Sequence, residues 1–175
     1  VVSRPDGRYV KAYGERDLEH MFQVRERLEA LAAELAATAI TEEKAARLDA
    51  ELEEFAVACE AQDLDAFVAG DIRIHSTIWE QTGNAFLLNA LGCIAAPSFL
   101  RVVDCARYVD ERWLTPLREH QWVVELIVQG DAAGAGAAMV QHVRSACGRT
   151  LRAFREHTAA EMRDVSPPEY RYARA

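Results

Sequence analysis

The chain has 175 residues, half of them apolar and 27% charged, with few glycines and prolines, which fits one folded domain with a sizeable core. Its net charge of −8 makes the surface a poor neutraliser of phosphates, so DNA binding by this chain alone is not expected. It has no apolar run of about 18 residues, as a membrane span needs, and no basic-then-apolar start typical of a signal peptide.

Residues 1–14, VVSRPDGRYVKAYG, stand apart from the rest. A Pro-Asp-Gly turn signal precedes an extended-looking RYVKAY, and no helical period is present. After Gly14 the pattern is helical almost throughout. Helix one is expected over about 15–38, with Phe22, Leu28, Leu31 and Leu35 among its buried positions. Thr41 followed by Glu42 and Glu43 is an N-cap with acids in the first turn, opening helix two at about 42–61. Asp63 caps helix three, about 64–82, and Gly83 suits the left-handed position after it.

Asn84 caps helix four, which begins near Ala85 and should bend or break at Pro97 before resuming to about Tyr108. Thr115-Pro116 reads as an N-cap with proline in the first helical position, opening helix five at about 116–129. Gly130-Asp131 stops that helix and caps helix six, about 132–157. The tail VSPPEYRYARA, with adjacent prolines, is expected to leave the packed body. Six amphipathic helices with short joints predict an all-α fold, an antiparallel bundle of about six helices. The cysteines, Cys59, Cys93, Cys105 and Cys147, form no C-x-x-C pair. Buried reduced thiols in a cytoplasmic protein are expected, rather than disulfides or a thiolate metal site.

The chemistry concentrates in GDIRIHSTIWEQTGN. Leu64, Val68, Asp71, His75, Ile78 and Thr82 fall on one helical stripe, so an acid and an imidazole sit one turn apart on a core-facing side. His120 shares a stripe with Leu117, Val124 and Ile127, and His142 with Met139 and Ala146. Each histidine alone would more often be a satisfied core residue, but their depths agree. His120 and His142 are both eleven residues from Asp131, about 16 Å from the joint at 1.5 Å per residue. Asp71 lies eleven residues below Thr82, at the same bundle end if helices alternate in direction. One carboxylate and three imidazoles can therefore converge. Buried unpaired, they would be costly. A divalent metal, Zn²⁺, Ni²⁺ or Mn²⁺, accepts all four, with Zn²⁺ the commonest occupant. A hydrogen-bonded Asp–His network without metal is the alternative. His20 and His157 lie off this level and are expected at the surface.

These stretches, with FQVRERLEALAAELAA in helix one and REHQWVVELIVQGDAAGAGAAMVQH across helices five and six, resemble a known family. The likeness is to the C-terminal ligand-binding (FCD) domain of the FadR branch of GntR-type bacterial transcription regulators, over about residues 15–157. The closing segment, with EH, GD and a second His 22 residues after the first, is the most specific. In metal-binding members the Asp, the His one turn on and two later His hold a divalent metal, and those positions match Asp71, His75, His120 and His142.

The resemblance implies a small organic acid as effector, a homodimer, and operator DNA bound by an N-terminal winged helix-turn-helix domain. It divides the chain into a wing remnant and linker (1–14), an FCD effector-binding and dimerisation domain (15–160) and a C-terminal tail (161–175). No helix-turn-helix precedes residue 15, so the chain is expected to be a piece of the regulator, closer to the shorter, VanR-like subgroup than to acyl-CoA-binding FadR.

The function expected is sensing rather than catalysis. Arg25 in QVRERLE is a candidate effector-facing cation, with a surface ion pair to Glu29 at i,i+4 as the competing reading. Arg101 on helix four is a second candidate. The alternative function is a metal-dependent hydrolase or isomerase using the three-His/Asp site to activate water. Glu119 is then the nearest extra acid–base group, although it points about 100° away from His120 around the helix.

Overall fold

In the computed structural model, residues 2–4, 7–9, 13–106 and 113–164 are described, with side chains over 13–95, 113–156 and at 158. Strands β1 (Val2–Arg4) and β2 (Gly7–Tyr9) pair antiparallel, with Val2 opposite Tyr9 and Arg4 opposite Gly7. Six helices follow: α1 (Glu15–Thr38), α2 (Glu42–Ala61), α3 (Leu64–Gln81), α4 (Ala85–Ala106), α5 (Leu114–Val128) and α6 (Ala132–Asp164). The expected all-α bundle is the observed fold, preceded by a short hairpin.

The joints form by local chemistry. Thr41 accepts the Lys44 N–H at 3.3 Å and Asp63 that of Ala66 at 3.0 Å, each satisfying an otherwise orphaned donor of a first turn. Asn84 and Asp131 do the same for Leu87 and Gly134. Gly83 and Gly130 both adopt positive φ, +66° and +73°, where a Cβ would be strained, and so end α3 and α5 sharply. These two turns set the heights of the helices that follow.

Three expected boundaries differ. Helix α4 is a single element through Pro97. A proline removes one backbone hydrogen bond and the remainder of the ladder carries the helix across it. Helix α5 begins at Leu114 with Trp113 as its N-cap, which puts Pro116 in the first turn, where backbone N–H groups lack intrahelical partners anyway. Helix α6 runs on past the expected end at 157 to Asp164. Residues 165–175 and the predicted end of helix four at Tyr108 lie outside the described residues.

Helix α1 is the hub, packing along α6 and against α3, α4 and α5, while α2 lies against α3 and α5. Its core-facing stripe is Leu18, Phe22, Arg25, Glu29, Ala32 and Ala36, all buried. Leu28 and Leu35 are partly buried, but Leu31 is 40% exposed, contrary to expectation. The small face Ala32, Ala33, Ala36 and Ala37 is what lets α1 lie close to its neighbours, and that phase turns Leu31 outward. The apolar core includes Phe55 of α2 and, on the helices that also carry the polar level, Ile74 and Ile78 of α3, Val123 and Ile127 of α5 and Met139 of α6. Gly70 admits the ring of Phe55, because a Cβ there would stand 2.7 Å from Phe55 Cδ2. Phe55 in turn meets His120 edge-on, with ring centroids 5.2 Å apart.

Among the described side chains Cys59, Cys93 and Cys147 are free thiols. Cys59 is buried, but Cys93 is exposed, contrary to the expectation of burial; Cys105 lies outside the described side chains. No helix of the described residues is long and apolar enough to cross a membrane.

Candidate metal centre

Asp71 and His75 reach inward from α3, His120 from α5 and His142 from α6. One potential ligand atom from each lies within 4.8 Å of all the others. The three imidazoles are essentially fully buried and Asp71 is 17% exposed. His75 Nε2 stands 3.1 Å from His142 Nε2 and 3.4 Å from His120 Nε2, and His120 Nε2 stands 3.4 Å from Asp71 Oδ1. Ligands at about 2.0–2.1 Å around a tetrahedral Zn²⁺ lie ~3.3 Å from one another, so these three separations match the spacing such an ion needs. Of the other candidates, His20 is exposed as expected, while the side chains of His157 and Arg101 lie outside the described residues.

The outward edges of the three rings explain why the inward edges carry lone pairs. His120 Nδ1 donates to the Pro116 carbonyl oxygen at 2.8 Å, and His142 Nδ1 donates to Glu119 Oε2 at 3.0 Å. His75 Nδ1 is paired with Glu29 Oε2. With each Nδ1 proton committed, the rings in their neutral form would present three Nε2 lone pairs to one point, joined there by a carboxylate. Four acceptors facing one another repel unless a proton or a cation stands between them. The donor set fits a divalent metal, and the second nitrogen of each ring is held as metal-ligating histidines usually are.

Electrostatics follow the same pattern. Burial pushes Glu29 towards the neutral acid, but Arg25 and then His75 outweigh it and hold its carboxyl well below the usual carboxylate range. Burial also opposes a charge on His75, yet the Glu29 carboxylate leaves its pKa raised. His120 is lowered well below its ordinary value, by burial first and then by His142 and His75. His142 is lowered too, chiefly by burial, with the Glu119 hydrogen bond working against it. Burial raises Glu119, but hydrogen bonds from His142, Arg149 and Ser145 bring it down to about 2.

Two of these groups have partners that spacing along their own helix does not reveal. Glu29 is fully buried, and its contact with Arg25 (Nε to Oε1, 2.6 Å) is an interior ion pair rather than a surface one. Glu119 faces α6 instead of the centre. It accepts Ser145 Oγ at 2.6 Å and Arg149 Nη1 and Nη2 at 3.0 and 2.9 Å, besides His142. The spacing of His142, Ser145 and Arg149 at i, i+3 and i+7 on one face of α6 was the available signal.

The sequence pattern of the FCD domain matches residues 20–145. The chain belongs to the FCD domain family. This FCD domain matches no curated protein sequence. Its fold recurs in E. coli McbR/YncC, with a TM-score of 0.74 and 17% identity over 86% of this chain and 76% of that one. It recurs in Streptococcus agalactiae GntR, with a TM-score of 0.65 and 22% identity over 84% of this chain and 73% of that one. The Zn²⁺-bound FCD domain of TM0439 superposes with a TM-score of 0.62 and 23% identity, over 81% of this chain and 96% of that one.

Proposed function

We propose that this chain is the effector-sensing domain of a GntR/FadR-type transcription regulator, holding a divalent metal that helps capture a small organic acid. The observation that carries the reading is the convergence of three buried Nε2 atoms and the Asp71 carboxylate, with every Nδ1 already occupied. Asp71, His75, His120 and His142 are the proposed ligands. Zn²⁺ is the proposed occupant, and Ni²⁺ and Mn²⁺ are other ions such donors accept. Membership in the FCD family and the regulator names of structural relatives support the sensing role.

Bound metal would supply a Lewis-acidic position to which a carboxylate oxygen can coordinate. The chain's own part is to fix the ligands, exclude bulk water from three of them, and balance charge. Arg25 and Arg101 are the proposed effector-binding cations. Arg25 is tied to the centre through Glu29 and His75, so it senses that level even where it does not touch the acid. Residues 1–14 are proposed as the end of a wing and a linker, 15–160 as the sensing and dimerising body, and 161–175 as a tail. The proposed partners are a second copy of the chain, the effector, and operator DNA read by an N-terminal winged-helix domain outside these residues, all in the cytoplasm.

Sensing requires the effector to bind two arrangements unequally, since equal affinity shifts no population. A thermal melting screen of small organic acids, run with and without Zn²⁺, tests the reading. At least one acid is expected to raise the Tm by several degrees with metal present and by much less after chelation. Equal stabilisation with and without metal would separate effector from metal, and steady turnover of the acid would favour an enzyme instead.

A further inference from the structure

We infer that Glu29 and Glu119 are positioning residues of the metal centre: each takes the Nδ1 proton of a ligating histidine and so commits that ring's Nε2 lone pair inward. The inference rests on the metal reading above and goes beyond it, because neither glutamate belongs to the converging four. Nδ1 and Nε2 occupy different edges of an imidazole, so a carboxylate bound at Nδ1 stands behind the ring, away from the ion.

Two Arg–Glu–His chains are built alike. Arg25 Nε donates to Glu29 Oε1, and Glu29 Oε2 pairs with His75 Nδ1. Arg149 donates to both oxygens of Glu119, and Glu119 Oε2 accepts from His142 Nδ1. The third histidine, His120, uses a backbone carbonyl in the same place. In each chain the arginine neutralises the carboxylate, and the carboxylate makes the imidazole a more basic donor. A neutral imidazole left without such a partner exchanges its proton between the two nitrogens, and in one tautomer it turns an N–H towards the metal. A fully buried Arg25–Glu29 pair gains little as structure alone, because desolvating both charges offsets most of their attraction. Its second oxygen on His75 gives it a use there.

The test combines Zn²⁺ affinity, measured by competition with a chromophoric chelator, with ¹H–¹⁵N spectra of the imidazoles in metal-free protein. The variants are Glu119→Ala, Glu119→Gln and Glu29→Gln, and circular dichroism confirms that each is folded. Glu119→Ala is expected to keep one Zn²⁺ per chain but bind it about 10- to 100-fold more weakly. His142 should at the same time lose its preference for the Nδ1–H form. Glu119→Gln should recover part of both, because its amide oxygen still accepts the proton. The isosteric Glu29→Gln should weaken affinity in the same range while keeping Arg25 partnered. Unchanged affinity and an unchanged His142 tautomer in folded Glu119→Ala would overturn the assignment. If the unsubstituted protein took up no Zn²⁺, the metal reading would fall, and the metal-free spectra would still decide the proton pairing. His142 in its Nε2–H form there would overturn it independently.

Discussion

Replacing His120 with alanine is expected to weaken Zn²⁺ binding by more than about a hundredfold, because losing merely an outer partner of a ligand already costs about 10- to 100-fold. His120 is the bridge of the constellation. Its Nε2 is 3.4 Å from both His75 Nε2 and Asp71 Oδ1, its Nδ1 is fixed by Pro116, and none of its surface is exposed. No other described donor on α5 can take over, since Glu119 is engaged with α6. In metal-free protein the same substitution removes an imidazole whose charged form the interior already rejects, so the cost there is that of a cavity beside Phe55. Isothermal titration with Zn²⁺, alongside circular dichroism, separates the two effects. Wild-type affinity in a folded His120→Ala variant would remove α5 from the centre.

Saturating metal should raise thermal stability by a margin that mutation rarely matches. At about a thousand times its Kd, a ligand specific to the folded state adds about 4 kcal/mol. For a chain of this size, about 2–4 °C per kcal/mol makes the expected rise in Tm about 8–16 °C. Ligation needs neutral imidazoles, so the rise should shrink as pH falls. The signs differ among the three rings. His120 and His142 have folded pKa values below the ordinary 6.5. The stability they contribute as neutral groups is present above about 6.5 and is lost as pH falls below it. His75 is raised, so its contribution in metal-free protein is present below about 6.5 and lost as pH rises through its folded value. Metal must displace that proton. Below about pH 5 the metal-dependent rise should therefore be nearly gone, and differential scanning fluorimetry across pH reads this directly. An equal rise at pH about 5 and about 7.5 would mean that metal acts elsewhere.

The helical framework was legible because it is written locally. Thr41, Asp63, Asn84 and Asp131 cap where their residue types say they should, and Gly83 and Gly130 take the left-handed turns. Equal residue counts from those turns then fixed the heights of Asp71, His120 and His142. What stood outside that reasoning lies between helices. Glu29 looked like the i+4 partner of a surface arginine, and only the stripe Leu18, Phe22, Arg25, Glu29, Ala32 and Ala36 puts it inside. Leucine spacing alone marks Leu31 as part of the buried face of α1. In the fold, alanines do the close packing and Leu31 is left at the surface. Glu119 diverges by about 100° from its neighbour His120 around the helix, which places it off the centre. That geometry is correct for the centre but blind to the facing helix, where His142, Ser145 and Arg149 await its carboxylate. Pro97 shows the converse, a residue at which a break is one expected outcome and through which helix α4 nonetheless runs unbroken.

The most direct measurement is an anomalous-difference map at the zinc edge, from crystals of the protein grown with Zn²⁺ in excess. A single strong peak is predicted about 2.0–2.2 Å from the Nε2 atoms of His75, His120 and His142 and a carboxylate oxygen of Asp71. A map with no peak among those four side chains, or with its zinc bound only at the surface, would contradict the account.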